Sequence, residues 1–385
     1  MPDSDAHPYS GREQTEAKHF ILRRYLERLA FKILTVSELT YVDGFSGPWE
    51  TKTESFSDSS FMIAIDVLMS ARKTMLEQRG KCPRIRCFFS ELNAEAFSQL
   101  QSAVAPFHRP EEGFEICTYH GEFEGAVADI QTCIGTSFAL IFIDPTGWTG
   151  YAYEKIKPLL IRRKCEALIT FMYAFVYRFI HSEDEDTVNS LNPILGGLGW
   201  RDRLDSSLPR GEAVERLFRE TLKAAGNFRF VISTKIEKPT TDCPHFYITY
   251  GTKSPDGLKT FRETEYAALR AQAKSRANAK EKKRERRFRT TEMFAGHDAQ
   301  VQEATIDDVV EEQKLVASGR VLEALSKQGS IQFDALAVRL LEEFVLRETD
   351  VKNICVDLVR SGKIENTWGL GNRKPQDTTI IKLKG

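Results

Sequence analysis

The chain has little of what marks several common protein classes. Its seven cysteines among 385 residues form no CxxC pair and have no histidines at zinc-finger spacing, which argues against a structural zinc. They are predicted to be reduced core residues of an intracellular protein. No run reaches the ~18 apolar residues of a membrane span, and the polar opening MPDSDAHPYSGREQ lacks the apolar core of a signal peptide. We expect a cytoplasmic protein with no membrane contact.

Charge of one sign and glycine-rich phosphate motifs are also missing. The formal net charge of −1 argues against a uniformly basic, nucleic-acid-binding surface, so charge has to be judged segment by segment. There is no GxGxxG fingerprint for a dinucleotide. Gly196 and Gly197 have no phosphate-loop Lys-Ser/Thr after them and are assigned to a chain reversal. With 41% apolar and 28% charged residues, the composition is that of a soluble globular protein with a large and a small domain.

Strand-like and helix-like segments alternate through the first two thirds of the chain. The strands are predicted at 39–42, 84–91, 114–119, 138–144, 166–172, 228–236 and 245–251, and the helices at 15–34, from Ser59 or Ser60, and at 94–100, 122–134, 153–161 and 214–225. Five alternations followed by a hairpin predict an α/β fold, a doubly wound parallel sheet with an antiparallel edge. Residues 183–210 are interpreted as an insertion or a lid.

The segment LTYVDGFSGPWE organises this sheet. Its apolar run ends in Asp43, and a turn follows through Gly44, Phe45, Ser46 and Gly47. The two glycines allow backbone conformations with positive φ and close approach of a ligand. We therefore predict a buried strand that brings a carboxylate and a ligand-binding loop to one edge of the sheet.

Acidic residues also follow two later strands. Glu91 ends the second strand, where a carboxylate can accept the hydroxyls of a ribose; the alternative is an ordinary N-cap for the next helix. Glu122 follows the third strand and either contacts an adenine amino group or simply opens a helix. Near the start of the first helix, Lys18 and His19 either form a solvated helix end or close over the same site.

The fourth strand, the most apolar stretch of the chain, leads into Asp144, Pro145, Thr146, Gly147 and Trp148. A carboxylate beside an aromatic ring suits a site where a planar substrate stacks while a polar group holds its reactive nitrogen or oxygen. The alternative is an Asp-Pro-x-Gly turn with the tryptophan as a hydrophobic lid. We predict catalytic roles for Asp144, Pro145 and Trp148.

Beyond residue 265 the composition changes. Residues 266–312 are predicted to be a charged helical or flexible linker. Within it, Lys274–Arg289 has nine basic and two acidic residues, typical of a solvated helix, a disordered linker or a phosphate-contacting arm. The acidic stretch Glu303–Glu312 partly masks this charge.

Residues 313–385 show the helix, strand, helix, helix, strand, strand order of a winged helix-turn-helix domain, a small α+β fold, with strands at 330–333, 363–368 and 378–383. In that fold the third helix usually lies in the DNA major groove and the wing contacts the backbone. The predicted nucleic-acid-binding residues are Lys352, Asn353, Arg360, Arg373 and Lys374. Protein contact is the alternative use of this surface.

With YVDGFSGPWE, the Ser59-Ser60 helix start, FIDPTGWTG and YITYGTKSPDGLKTFRE, residues 1–265 resemble the three-Cys-motif partner protein family. This resemblance implies a Rossmann-like, seven-stranded class I methyltransferase sheet and the cofactor S-adenosyl-L-methionine. It also implies a partner, a radical-SAM-like protein with three cysteines.

The implied residue roles follow from the resemblance. Gly44–Gly47, with Asp43, pass beneath the methionine moiety, Glu91 holds the ribose, Glu122 faces the adenine, and Asp144 orients the methyl acceptor. Together with the winged helix, this predicts a methyltransferase-like protein acting on nucleic acid. The alternative is a non-catalytic scaffold or DNA-binding partner protein in a phage-defence or repair assembly.

Overall fold

The computed structural model describes residues 9, 12–47, 51, 53, 56–288, 297–369 and 371–384. Pro48 and Trp49 of the first motif and Arg289 of the basic segment lie outside the described residues. The chain divides into two compact units, Met1–Lys253 and Ser254–Gly385. The domain limit predicted at residue 265 therefore falls inside the second unit.

A seven-stranded sheet forms the centre of the first unit. Its strands are β1 Leu39–Asp43, β2 Ile85–Glu91, β3 Phe114–His120, β4 Phe138–Ile143, β5 Cys165–Phe171, β6 Phe230–Glu237 and β7 Pro244–Thr252. They lie in the order β3-β2-β1-β4-β5-β7-β6. The first five pair in parallel, whereas β7 pairs antiparallel with β5 and β6. This confirms the predicted α/β class, with a mostly parallel, Rossmann-like methyltransferase sheet and a hairpin at its edge.

The central strands are buried along nearly their whole length, as is typical of a parallel sheet with helices on both faces. All residues of β1 and β5 are buried, and β4 is buried from Ala139 to Ile143. Asp43 and Glu91 lie at the carboxyl ends of their strands. In a parallel sheet those carboxyl ends lie at the same edge, where ligands bind in folds of this type.

Eight helices are described in the first unit: α1 Glu13–Ile33, α2 Ser60–Arg79, α3 Ala94–Val104, α4 Val127–Ile134, α5 Tyr153–Leu160, α6 Tyr173–Phe179, α7 Glu185–Leu195 and α8 Arg210–Gly226. The predicted start of α2 is confirmed, since the Ser59 side chain accepts a hydrogen bond from the Met62 amide. This helix ends at Gly80, whose φ of 68° suits a residue without a Cβ.

Two parts of the first unit differ from the prediction. Helix α6, directly after β5, was not expected, since its seven aromatic-rich residues are too few for a clear helical period. The interpretation of residues 183–210 as a lid is wrong for much of the segment. Leu191, Ile194 and Leu195 of α7, and Trp200 after it, are buried in the core with the sheet's own residues.

The second unit begins with two long helices, α9 Pro255–Phe288 and α10 His297–Gln328. It continues with β8 Ser330–Gln332, α11 Phe333–Glu343, α12 Glu348–Arg360 and β9 Ile380–Lys382. Strands β8 and β9 pair antiparallel. The predicted strand at 363–368 does not form; Ile364 alone makes an isolated bridge, to Leu383. The short apolar pattern there is not enough to pair a full strand, and the winged-helix assignment stays a prediction.

The basic segment continues α9 as far as Phe288. Ion pairs link α9 to acidic residues of α10. Arg270, which precedes the basic segment, pairs with Glu303 at 3.1 Å, and Arg284 of the basic segment pairs with Asp298, which precedes the predicted acidic stretch, at 2.7 Å. The described part of the predicted linker is therefore helical, with part of its charge neutralised. Among all described residues, no helix has the length and apolarity needed to cross a membrane.

Candidate functional site

Asp43, the last residue of β1, is fully buried, and several neighbouring groups donate hydrogen bonds to its carboxylate. Its Oδ2 accepts from the Ser60 hydroxyl at 2.7 Å, and its Oδ1 accepts from the Phe45 amide at 3.1 Å. The Tyr41 hydroxyl lies 3.4 Å from Oδ2. The carboxylate therefore joins the end of β1, the following turn and the first residue of α2 into one rigid element.

The protonation of Asp43 reflects opposing influences. Burial raises the pKa of its carboxyl to about 6, although the Ser60 hydroxyl and the Phe45 amide favour the charged form and so lower the pKa. The charge of Asp144 acts in the same direction as burial. Two carboxyl groups from β1 and from the end of β4 thus influence each other at one edge of the sheet.

The turn after Asp43 is tied to β2. The Ser46 amide donates to the Ser90 carbonyl at 2.9 Å, and the Ser90 hydroxyl donates to the Gly44 carbonyl at 3.0 Å. A Cβ on Gly44 would lie 2.8 Å from the Phe123 ring. This position thus requires glycine because of protein packing. The expected positive φ is wrong for Gly44, whose φ is not positive.

Glu91 and Glu122 lie at the ends of the next two strands but in different surroundings. Glu91 is 4% exposed, and its Oε1 accepts from the Asn93 amide at 2.6 Å. Asn93, and not Glu91, is the N-cap of α3. Glu122 is exposed, between β3 and α4. Glu91 is therefore held in place, whereas Glu122 faces solvent.

Asp144, directly after β4, pairs with a residue of the N-terminal helix. Lys18 of α1 places its Nζ 2.5 Å from the Asp144 Oδ2, and these side chains are only 14% and 15% exposed. The sequence left open whether Lys18 belongs to a solvated helix end or closes over the site. The structure favours the second alternative, because Lys18 contacts the predicted catalytic carboxylate. The structure brings together two residues separated by 126 positions.

Pro145 is buried beside Asp144, but Trp148 points elsewhere. The Trp148 indole donates from Nε1 to the Ser190 hydroxyl of α7 at 3.0 Å. Its ring packs against Phe175 and Phe179 of α6, with centroids 6.1 and 5.6 Å away. These contacts resemble the hydrophobic-lid alternative more than a stacking surface for a substrate.

A cavity of about 430 Å³ lies where Asp144 meets Lys18. Its described lining includes Phe45 and Gly47 from the first motif, Ser60 from the start of α2, and Asp144 and Pro145 from the fourth strand's loop. Glu91, Glu122 and Trp148 are not among those described lining residues. The edge of the sheet thus holds an accessible cavity of the size typical for small ligands.

Sequence reasoning missed the other walls of this cavity. They come from the start of α1, the end of β5, α6 and the start of β7, and include Arg12, Thr170, Met172, Phe175, His245 and Phe246. His19, which the sequence had offered as a residue that closes over the site, also lines the cavity. Arg12 pairs with Asp58 at 2.6 Å, and the Tyr9 hydroxyl lies 3.0 Å from the His19 Nδ1. Burial, with Lys18 nearby, holds the pKa of His19 well below its ordinary value, so this imidazole is neutral. No local motif signals these residues, which meet only through packing.

The predicted nucleic-acid-binding residues lie in the second unit. Lys374 donates from Nζ to the Asn353 Oδ1 at 2.7 Å, so the predicted wing and the helix α12 meet. Lys352 is paired with Glu348 at 2.6 Å and is only partly exposed. Arg360 and Arg373 are exposed. The surface therefore offers fewer unshielded cations than the sequence suggests.

Metal ligands are not grouped in the described part of the chain. Among those residues, no cluster of three or more His, Cys, Asp or Glu side chains has the arrangement of a metal site. The candidate site is instead a cavity with paired charges and aromatic walls.

Two of the three comparisons with known proteins found no match. No protein-family model matches the chain, and no curated protein matches it. Among solved structures, it is similar to "Loganic acid methyltransferase with SAH", with a TM-score of 0.29 and 10% sequence identity. That likeness covers 69% of this chain and 84% of the other. The strand order and the site geometry, which do not depend on this likeness, carry the functional argument.

Proposed function

We propose that the chain is an S-adenosyl-L-methionine-dependent methyltransferase of the three-Cys-motif partner type, acting on nucleic acid. The observation that carries this proposal is the meeting of three acidic strand ends at one sheet edge. In the parallel register Asp43 is level with Phe89 of β2 and Phe142 of β4. Glu91 lies two residues after Phe89, and Asp144 lies two residues after Phe142. The two acidic residues therefore flank Asp43 on either side.

The residues at this edge fit a sulfonium cofactor in their chemistry. Asp144 and the Phe45 ring line the cavity, and a carboxylate and an aromatic face both attract a positively charged sulfur. Asp43 lies behind them, bonded to the Phe45 amide and to Ser60. Glu91 is the candidate for the ribose hydroxyls. When bound, S-adenosylmethionine would supply an electrophilic methyl group on that sulfur.

The protein's own contribution is positioning. Methyl transfer to nitrogen or oxygen requires the acceptor in line and at near-attack distance, with little covalent help. Asp144 would orient the acceptor through a hydrogen bond, and Lys18 fixes the direction of that carboxylate. Phe175 and Phe246 provide aromatic walls that suit a planar acceptor such as a nucleobase.

Cofactor titration tests the assignment of the carboxylates. Isothermal calorimetry with S-adenosylmethionine should give at least about tenfold weaker binding for Asp43→Asn and Glu91→Gln, because a hydrogen bond to a charged group contributes ~1.5–3 kcal/mol. Glu95→Gln is a matched control, since Glu95 is exposed on α3 close to Glu91. Equal affinity in all variants would reject these residue roles, and absence of binding to the unmodified chain would reject the cofactor.

Methyl transfer tests the reaction itself. Tritium from labelled cofactor should appear in DNA or RNA with the unmodified chain and should be lost with Asp144→Asn, which keeps the size of the side chain. Label in protein instead would reject the nucleic-acid acceptor. Label that persists with Asp144→Asn would reject the role of this carboxylate.

The second candidate function is a non-catalytic scaffold in a larger assembly. The ion pair between Lys18 and Asp144 favours it, since a carboxylate bonded to a protein ammonium group at 2.5 Å needs no substrate to satisfy it. Under this alternative, Lys18→Met would lower thermal stability while methyl transfer is absent from both proteins. Retained transfer by the unmodified chain would exclude it.

Residues 313–385, within the second unit, are proposed to form the winged helix that supplies affinity for nucleic acid. Support comes from its order of elements, the antiparallel pairing of β8 with β9 and the contact between Lys374 and Asn353. Deleting the residues after Glu312 should weaken DNA binding and leave cofactor affinity intact. Equal DNA affinity would assign the unit to protein contact, and co-purification would then test the three-cysteine radical-SAM-like partner.

A further inference from the structure

Two of the seven cysteines lie side by side, outside the residues that line the candidate site. Cys117 is on β3 and Cys133 on α4, and their Sγ atoms are 3.5 Å apart. Both are half-buried and both line a groove of about 710 Å³, so reagents can reach them. The expectation that the cysteines are all core residues is wrong for the exposed Cys243, and Cys82, Cys117 and Cys133 are only half-buried.

The contact makes the two thiols unequal. The Cys133 thiol donates a hydrogen bond to the Cys117 sulfur, and this bond lowers the pKa of Cys117. The same bond raises the pKa of Cys133, and burial of this thiol raises the pKa further. Arg86, which also lines the groove, favours the Cys117 thiolate as well, while burial and Glu115 oppose it. Because a thiolate is the attacking species, Cys117 is the more reactive member of the pair.

We infer that Cys117 and Cys133 form a reversible dithiol–disulfide pair that reacts with small disulfides such as oxidised glutathione. Cys117 attacks one sulfur of the small disulfide, forms a mixed disulfide and releases one small thiol. Cys133 then loses its proton and attacks the Cys117 sulfur, which expels the second small thiol. The protein loses two electrons and two protons, and the small disulfide is reduced to two thiols.

Geometry favours this pair over the other cysteines. Bond formation requires the two sulfur atoms to approach by roughly 1.5 Å, a distance that side-chain rotation can supply. Cys87, Cys165 and Cys355 are buried, and burial raises the pKa of all three thiols. Cys87 lies on β2 beside β3 and is the obvious competitor, but its side chain has no exposed surface.

The bond would join β3 to α4 and enclose the connection that contains Glu122. This connection follows the strand next to β2, at the edge of the sheet that carries the candidate site. The inference does not depend on the proposed methyltransferase function, since it concerns the thiols alone. It can therefore be tested on the purified chain without a cofactor or a substrate.

The first test is oxidation of the full chain by oxidised glutathione, followed by thiol counting with a maleimide reagent under denaturing conditions. Digestion after glutamate is needed, because no Lys or Arg separates the two cysteines, whereas Glu122 and Glu124 do. We expect a linked peptide pair, residues 116–122 with 125–154, that is lighter by two hydrogen atoms and is separated by dithiothreitol. A linkage through any other cysteine would overturn the inference.

Single variants test the order of attack. Cys133→Ser should stop at a mixed disulfide of glutathione on Cys117, whereas Cys117→Ser should react at least about tenfold more slowly at Cys133. Cys87→Ala and Cys243→Ser are controls that should leave the cross-link intact. If Cys133→Ser folds poorly, Cys133→Ala is used in its place. Unmodified Cys117 in the Cys133 variants, or loss of the cross-link in Cys87→Ala, would refute the assignment.

Discussion

The free energy of unfolding of the Asp43→Asn variant, relative to that of the unmodified chain, is expected to rise with pH. Burial raises the pKa of this carboxyl from its ordinary 3.8 to about 6. The folded state therefore holds the proton more tightly than the unfolded chain. The stabilising contribution of the protonated Asp43 carboxyl is complete below its ordinary pKa, and it is lost as the pH rises through the pKa of the folded state.

The magnitude follows from that difference in pKa. A separation of about two pH units corresponds to ~3 kcal/mol in the free energy of unfolding. Asparagine has nearly the same shape and carries no charge at any of these pH values. The free energy of unfolding of Asp43→Asn minus that of the unmodified chain should therefore increase by ~2 kcal/mol between pH 4 and pH 7, since part of the change already lies below pH 4.

Urea unfolding at a series of pH values measures this difference. Tryptophan fluorescence reports on the first unit through the buried Trp200 and the half-buried Trp148. A difference that stays constant from pH 4 to pH 7 would refute the argument from burial. A difference that falls with rising pH would show that the donors Ser60 and the Phe45 amide outweigh burial and hold the carboxylate charged.

Two further predictions follow from packing and charge. Gly44→Ala should lower the free energy of unfolding by ~1–3 kcal/mol, because its Cβ would lie 2.8 Å from the Phe123 ring. Gly147→Ala, where nothing lies within 4 Å, is the control in the same urea assay, and equal losses would contradict the packing argument. If the exposed Arg373 contacts a DNA phosphate, Arg373→Ala should reduce the slope of log affinity against log salt by about 0.9. Exposed Lys73 of the first unit is the control, and an unchanged slope for Arg373→Ala would exclude that contact.

Much of the fold was predictable because its signals are local. Apolar runs bounded by turn residues identified all seven strands of the large sheet, and the Ser59 cap marked the start of α2. Short or composite elements were less predictable. Helix α6 is brief and aromatic, and residues 363–368 make only scattered hydrogen bonds to the region of β9, such as that from the Glu365 amide to the Lys382 carbonyl, without a regular strand.

Some features of the candidate site could likewise be predicted from the sequence, whereas others depend on the tertiary structure. By itself the sequence determined that Asp43, Glu91 and Asp144 follow parallel strands, and parallel strands place such residues at one edge. Only the tertiary structure decided that Lys18 would bind Asp144 and that Cys117 would meet Cys133. The physical reason is that strand and helix periods are set by neighbouring residues, whereas these contacts depend on how whole helices pack against the sheet.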